Sequence, residues 1–469
     1  MAKKRGEDGK DRPAQNGRSF SRRDFVKTGA GAGAGAALLS ASSPATGQTL
    51  SSGSWNYEAD IVVIGGGATG LTAAIRARDL GASVIVVEQN FDIGGKMLMS
   101  STWVSLGGGD AIQMRDIAGE SDPEGFITAP PLHTPEELTD DPDLVFIDQT
   151  DWSVMDAAAQ APYRYNEREQ ERAHADNCQA TRKFLMDNYV RMGRIFGTHG
   201  GGGVSRARKA ACFLMEGDRT DIKAGTVSRD DAGIPGVRSS AFAPRVMEDA
   251  TRYVQKGARF TGAALARPLE FSAREKGVRL LLNRHMDEIV REKPFAGRVL
   301  GVRASYAPRF DPQSGARLES FWKNGNIDDR TESISIRARK AVIVAAGGHP
   351  ENPEFRSIFY PAWREPAFVS CAWALLGPRG QDASGIIAGM RVGANLAGMQ
   401  QNLGTSGTFR FSPNLATRDA FTNMMPGHPT FPFRGSAGIR LPAADFQHLI
   451  AVNQVGKRFF NELLLIRRE

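Results

Sequence analysis

Cysteine is scarce. The 469 residues hold 3, at Cys178, Cys212 and Cys371, and none pair at the short spacings of a zinc or thioredoxin-type site. Neither a disulfide scaffold nor a structural metal is therefore expected. Long apolar runs are missing as well, so no segment of the mature chain is expected to span a bilayer. The formal charge of +7 looks basic, but the first 27 residues carry nine Lys or Arg against four Asp or Glu, and residues 28 to 47 carry none, which leaves only +2. That removes the main support for a nucleic-acid partner, which needs a basic stripe on the folded domain. The remainder, 41% hydrophobic and 24% charged, is an ordinary globular mixture, and it excludes disorder as the main state.

The amino terminus carries Ser21-Arg22-Arg23-Asp24-Phe25-Val26-Lys27, a weakly apolar stretch from Thr28 to Leu39, and small residues from Ser42 to Gly47. This order resembles the twin-arginine export signal of bacteria, which implies a periplasmic or extracellular protein that folds, and seats any cofactor, before export. Residues 1–47 are accordingly set apart from the fold.

The next region reads as a nucleotide site. Ala59 to Ile64 is a short β-branched strand that runs into Gly65-Gly66-Gly67-Ala68-Thr69-Gly70. From Leu71 to Leu80 small residues recur at helical spacing, Gly81 caps the segment, and a second strand from Ser83 ends in Glu88. Gly65 is expected to make the tight turn, Gly67 to let the backbone approach a pyrophosphate, and Gly70 to let helix and strand pack closely. The helix amino terminus, with Ala68 and Thr69, faces the phosphates, and Glu88 accepts hydrogen bonds from a ribose diol.

After the acid comes Phe91-Asp92-Ile93-Gly94-Gly95-Lys96, an E-x-x-x-x-x-G-G pattern that resembles the flavoprotein version of the fold. FAD is then the expected cofactor rather than NAD. Ser335 to Gly348 reads as a strand, a turn and a second buried strand ending in Gly347-Gly348, similar to the A-T-G-G closure of such proteins. Other blocks follow in order. Thr198 to Arg208 is glycine-rich, Gly262 to Lys276 reads as a helix, and Val278 to Val290 as an adenine-side strand region. Arg379 to Gly385 resembles a broken G-D-G helix start. His428-Pro429-Thr430 and Val452 to Glu462 match H-P-T and V-N-x-x-G-K-R-F-x-N-E. From about Ala59 onward the chain resembles the fumarate reductase and succinate dehydrogenase flavoprotein family, which includes urocanate reductases and ketosteroid dehydrogenases. The resemblance implies that FAD is also touched by Gln89, Met286, Ala345 and Asp382. It implies hydride transfer between flavin N5 and a carbon α or β to a carbonyl or carboxylate of a small organic acid or ketone, with room for a redox partner.

In that family the His of H-P-T contacts the acid group of the substrate, which points to His428; a capped loop histidine is the ordinary alternative. Arg434 and Arg440 follow closely and suit a bidentate carboxylate clamp, or are solvated surface arginines. The chain also departs from the pattern. The proton-relay E-x-x-R of fumarate reductase is replaced by Leu441-Pro442-Ala443-Ala444-Asp445-Phe446, and no histidine for a covalent flavin follows Gly95. Non-covalent FAD is expected. A ketosteroid-type dehydrogenase and a non-catalytic flavin-binding fragment are the other readings, the latter because the family continues past the equivalent of Glu469.

The fold class expected is α/β: a Rossmann-like FAD-binding domain (βαβ, mixed sheet) over residues 57–354, with an inserted α+β capping domain starting at 355 and incomplete at the C-terminus. From Asp116 to Asp156 there are twelve Asp or Glu and no Lys or Arg. This reads as part of a solvated acidic insertion at about 110–176, followed by a helix from Asn177 to Arg194.

Overall fold

The computed structural model describes residues 55–95, 97, 103–122, 125–152, 168–197, 205–214, 263–310, 315–349, 352–359, 383–397, 399, 408–409 and 439–440. The export signal, Lys96, Asp382, His428, Arg434 and the block from Val452 to Glu462 lie outside the described residues.

The first strand, β1 (Tyr57–Ile64), leads through the glycine turn into α1 (Ala68–Asp79) and then β2 (Val84–Val87). The helix ends where expected: Gly81 takes φ +79° and its N–H donates to the Arg78 carbonyl at 2.9 Å. Then come β3 (Trp103–Ser105), α2 (Ala111–Ile117), α3 (Pro135–Leu138), α4 (Pro142–Trp152), α5 (Arg168–Asp187), β4 (Arg191–Gly197) and β5 (Lys209–Phe213). The chain returns through α6 (Ala263–Glu275), β6 (Arg279–Leu281), β7 (Arg284–Lys293), β8 (Ala296–Tyr306), β9 (Asn326–Ile327) and β10 (Ser333–Val344). After these lie α7 (Pro353–Phe359), α8 (Ser384–Arg391), β11 (Thr408–Phe409) and β12 (Ile439–Arg440).

Seven strands form one sheet in the order β7-β8-β10-β1-β2-β6-β9. It is mixed: β10, β1, β2, β6 and β9 run parallel, while β8 and β7 are antiparallel additions at one side. The parallel centre is buried on both faces, as its β-branched composition requires. Val63, Val84 and Val86 pack with Leu71 and Ile75 of α1 on one face, and Val62, Ile64, Ile85 and Val87 pack on the other. A second, antiparallel sheet has the order β3-β5-β4.

Three expectations need correction. The strand, turn and strand read from Ser335 to Val344 are one continuous strand, because Arg337 and Arg339 reach outward to Glu58 at 3.2 and 2.8 Å. A register shift between Ala59 and Ile61 absorbs the irregularity instead of a turn. The helix placed at Asn177 to Arg194 starts earlier, at Arg168, and stops at Asp187; Tyr189 takes φ +69° and the chain turns into β4. The acidic stretch is not simply solvated. Asp116 pairs with Arg194 at 2.8 Å, and Arg208 holds Asp140 and Asp148 at 2.7 and 2.5 Å, all with side chains at least nine-tenths buried. Burial of an acid depends on a cation reaching it, and here the cations come from β4 and from the segment just before β5.

Cys178 and Cys212 are both buried, and burial pushes their thiols up to about 11 and about 12, so neither is a ready nucleophile. Among the described residues no helix is long and apolar enough to cross a membrane, and no group of three or more His, Cys, Asp or Glu could hold a metal ion.

Candidate cofactor site

At the carboxyl ends of β1, β2 and β10 lies a cavity of about 570 Å³. The glycines around it serve different ends. Gly65 takes φ +97°, and a Cβ there would stand 2.4 Å from the Ala345 carbonyl oxygen, so only glycine lets the end of β1 pass the end of β10. At Gly70 a Cβ would fall 1.8 Å from the Gly65 carbonyl oxygen. A Cβ on Gly67, by contrast, would meet nothing within 4 Å. Its open side is the cavity itself, the space a phosphate backbone would fill.

The helix behind this turn is prepared for an anion. Gly67 is the N-cap of α1, no side chain caps the helix, and its first turn holds no acidic residue. The first N–H groups therefore have no intrahelical acceptor and no competing carboxylate, and Ala68 and Thr69 lie on the cavity wall.

Glu88 follows β2 and is 4% exposed. Its Oε2 accepts from the Gly66 N–H at 2.6 Å and its Oε1 from the Asn90 N–H at 2.8 Å. Burial pushes its carboxyl above the ordinary value of 4.5, and the two backbone N–H groups act against that shift. Each oxygen keeps a lone pair for a further donor, as a ribose diol requires.

The loop beyond it is tied from behind. Gly94 N–H donates to the Gly66 carbonyl at 3.0 Å, and Asp92 receives Arg267 of α6 at 2.6 and 3.2 Å. Gly95 thereby reaches the wall, and Met97, Trp103 and Leu265 continue it.

The structure brings Gly65, Gly67, Ala68, Thr69, Glu88, Gln89, Gly95, Met286, Ala345 and Gly347 together around the cavity. Gly70 and Gly94 stand behind the wall as spacers. Gly348 is also off the wall; its carbonyl accepts from Ala383 N–H at 3.1 Å and so seats the start of α8, whose Ser384 lines the cavity. Arg440 lies in β12 opposite Thr408, with its side chain outside the described residues. Asn90, Arg284 and His285 are wall residues that pattern reading did not single out. Arg284 and His285 fall within the stretch read as an adenine-side strand region, and they reach the site through the pairing of the segment after β2 with the start of β7.

A sheet with a parallel centre, a glycine turn, a helix amino terminus free of side-chain caps and an acid after the second strand define a dinucleotide-binding protein. The chain belongs to the FAD binding domain family, whose model matches residues 60–126 and 138–465. The wall fits that cofactor: Gly67 and α1 suit the diphosphate, and Glu88 suits the ribose. The chain is similar to the 3-oxosteroid 1-dehydrogenase of Mycolicibacterium smegmatis, 28% identical over 201 residues, which is 43% of this chain and 26% of that protein. It is also similar to the 3-oxo-5-alpha-steroid 4-dehydrogenase of Comamonas testosteroni, 24% identical over 376 residues, 76% of this chain and 59% of the relative. Among solved structures it is similar to the 3-ketosteroid-delta4-(5alpha)-dehydrogenase from Rhodococcus jostii RHA1, at 20% identity and a TM-score of 0.43, covering 74% of this chain and 56% of the other. The chain thus spans less than two thirds of the length of the curated relatives it matches.

Proposed function

We propose that this chain is the cofactor-holding part of an FAD-dependent oxidoreductase that removes or adds hydrogen across the bond α,β to a carbonyl, with a 3-oxosteroid as substrate class. The observation that carries the redox reading is the cavity wall, where Gly67 and the start of α1 suit the diphosphate and Glu88 suits the ribose of an adenosine diphosphate moiety. The substrate class is supported by the names of both curated relatives, and the replaced E-x-x-R segment at Leu441 to Phe446 speaks against fumarate.

When bound, FAD supplies a two-electron acceptor at flavin N5. The chain's own residues then bind and shield it. The first-turn N–H groups of α1 neutralise the diphosphate, Glu88 holds the sugar, and Met97, Trp103 and Leu265 exclude water from their part of the cavity. On the substrate side the proposal assigns His428 to the carbonyl or acid group, and Arg434 and Arg440 to the negative charge that develops on its oxygen.

Anaerobic mixing of the yellow, FAD-loaded protein with a saturated 3-oxosteroid should bleach the visible flavin absorbance, while succinate leaves it unchanged. Steroid-insensitive flavin that bleaches with succinate would remove the steroid assignment. Protein that takes up FAD but responds to neither would be a binding fragment without this activity.

Export by the twin-arginine route is part of the same proposal, supported by the sequence order of Arg22, Arg23 and Phe25 ahead of an uncharged stretch. Replacing both arginines with lysine should hold the protein in the cytoplasm of a bacterial host. Unchanged periplasmic recovery of that variant would refute the assignment.

A further inference from the structure

We infer that His285, oriented by Asp287 and Ser305, reads the exocyclic amine of the adenine base in the cofactor cavity. The inference rests on the cavity being the FAD site and adds to it a base-selecting side chain.

The position follows from connectivity. Glu88 grips the sugar, and the base is bonded directly to that sugar, so it must lie against the wall next to Glu88. That wall is the start of β7. Arg284 N–H donates to the Glu88 carbonyl at 2.8 Å, and Asn283 N–H to the Asn90 carbonyl at 3.0 Å, which places Arg284, His285 and Met286 beside the acid and on the cavity.

Of the polar side chains there, most are already committed. Arg284 spends its terminal nitrogens on Asp329 and the Thr331 carbonyl. Asn90 accepts from Arg309 Nε at 2.9 Å. His285 is different. Its Nδ1 lies 2.8 Å from Asp287 Oδ1, which also accepts from Ser305 Oγ at 2.9 Å, and Ser305 is the cross-strand partner of His285. An acidic acceptor on Nδ1 selects the tautomer that carries its proton there, in which Nε2 is the lone-pair acceptor. An acceptor on the wall along which the base extends away from the ribose suits the C6 amine of adenine. It meets the C6 carbonyl of hypoxanthine with two lone pairs facing each other.

The test is equilibrium binding of ADP, IDP and FMN to the full chain at neutral pH. Wild type should hold ADP about tenfold tighter than IDP, the scale of one discriminating hydrogen bond. His285→Phe should bring ADP down to the IDP level with FMN unchanged, and His285→Gln, which keeps an acceptor, should recover part of the preference. Equal binding of ADP and IDP by wild type, or a preference that survives in His285→Phe, overturns the inference while leaving the FAD reading intact. Failure of wild type to bind ADP, FMN and FAD overturns both.

Discussion

Gly70→Ala should cost about 3 kcal/mol of folding stability and about a hundredfold in FAD affinity, as read from the urea midpoint and a flavin-fluorescence titration. The new Cβ would stand 1.8 Å from the Gly65 carbonyl oxygen and 3.3 Å from Val63 Cγ1. The nearer atom belongs to the backbone at the end of β1 and has no rotamer through which to retreat, so α1 must move away from the sheet. The cavity goes with it, because the helix amino terminus and Gly65 share one wall. Gly67→Ala is the contrasting case. Its Cβ meets no protein atom within 4 Å, and the φ of −81° at this position suits alanine. The apoprotein should melt like wild type yet bind FAD at least tenfold more weakly, since the methyl occupies the approach to the diphosphate. Wild-type FAD affinity in both variants would remove the cofactor from this turn.

Arg267→Met should be the most damaging change away from the cavity, with a loss of about 3–5 kcal/mol in urea unfolding. Arg267 is fully buried and bonds both oxygens of Asp92 and, at 2.6 Å, Oε2 of Glu270, with Phe321 packed on its face at 4.4 Å. Methionine fills much of the volume but leaves two buried carboxyls without their shared cation. Arg274 still reaches Glu270 at 2.8 Å, so Asp92 is the acid left worse off. Asp92 lies in the loop that carries Gly95 onto the wall, so cofactor affinity should fall together with stability. A variant within about 1 kcal/mol of wild type would show that the cluster is replaceable by apolar packing, as some buried ion pairs are.

The two sites differ in how much of their chemistry is local in sequence. The steric demand at Gly65 and Gly70 and the gathering of Gly67 and Glu88 on one wall were legible because turn, helix start and strand end are neighbours in sequence. The environment of Asp116, Asp140 and Asp148 was not. A run of acids from Asp116 to Asp156 that contains no Lys or Arg reads as a wet surface, and the arrival of Arg194 and Arg208, more than fifty residues onward, joins Arg115 in turning part of it into a dry ion-pair layer. The break placed inside Ser335 to Val344 failed for a similar reason. The charged residues Arg337 and Arg339 interrupt the apolar pattern when read alone, yet Glu58 and Asp60 on the adjoining strand pair with them and β10 runs on unbroken.

What the amino-acid order determined alone is the dinucleotide turn with its flanking strands and helix, which rest on short-range sterics and on apolar patterning, while the FAD class and the mixed α/β architecture were legible through the resemblance of its motifs to a known flavoprotein family. Tertiary structure alone decided which charges are buried and that Asn90, Arg284 and His285 stand on the same wall as Glu88. Those outcomes depend on strands distant in sequence being brought within hydrogen-bonding range, and neither composition nor spacing encodes that contact.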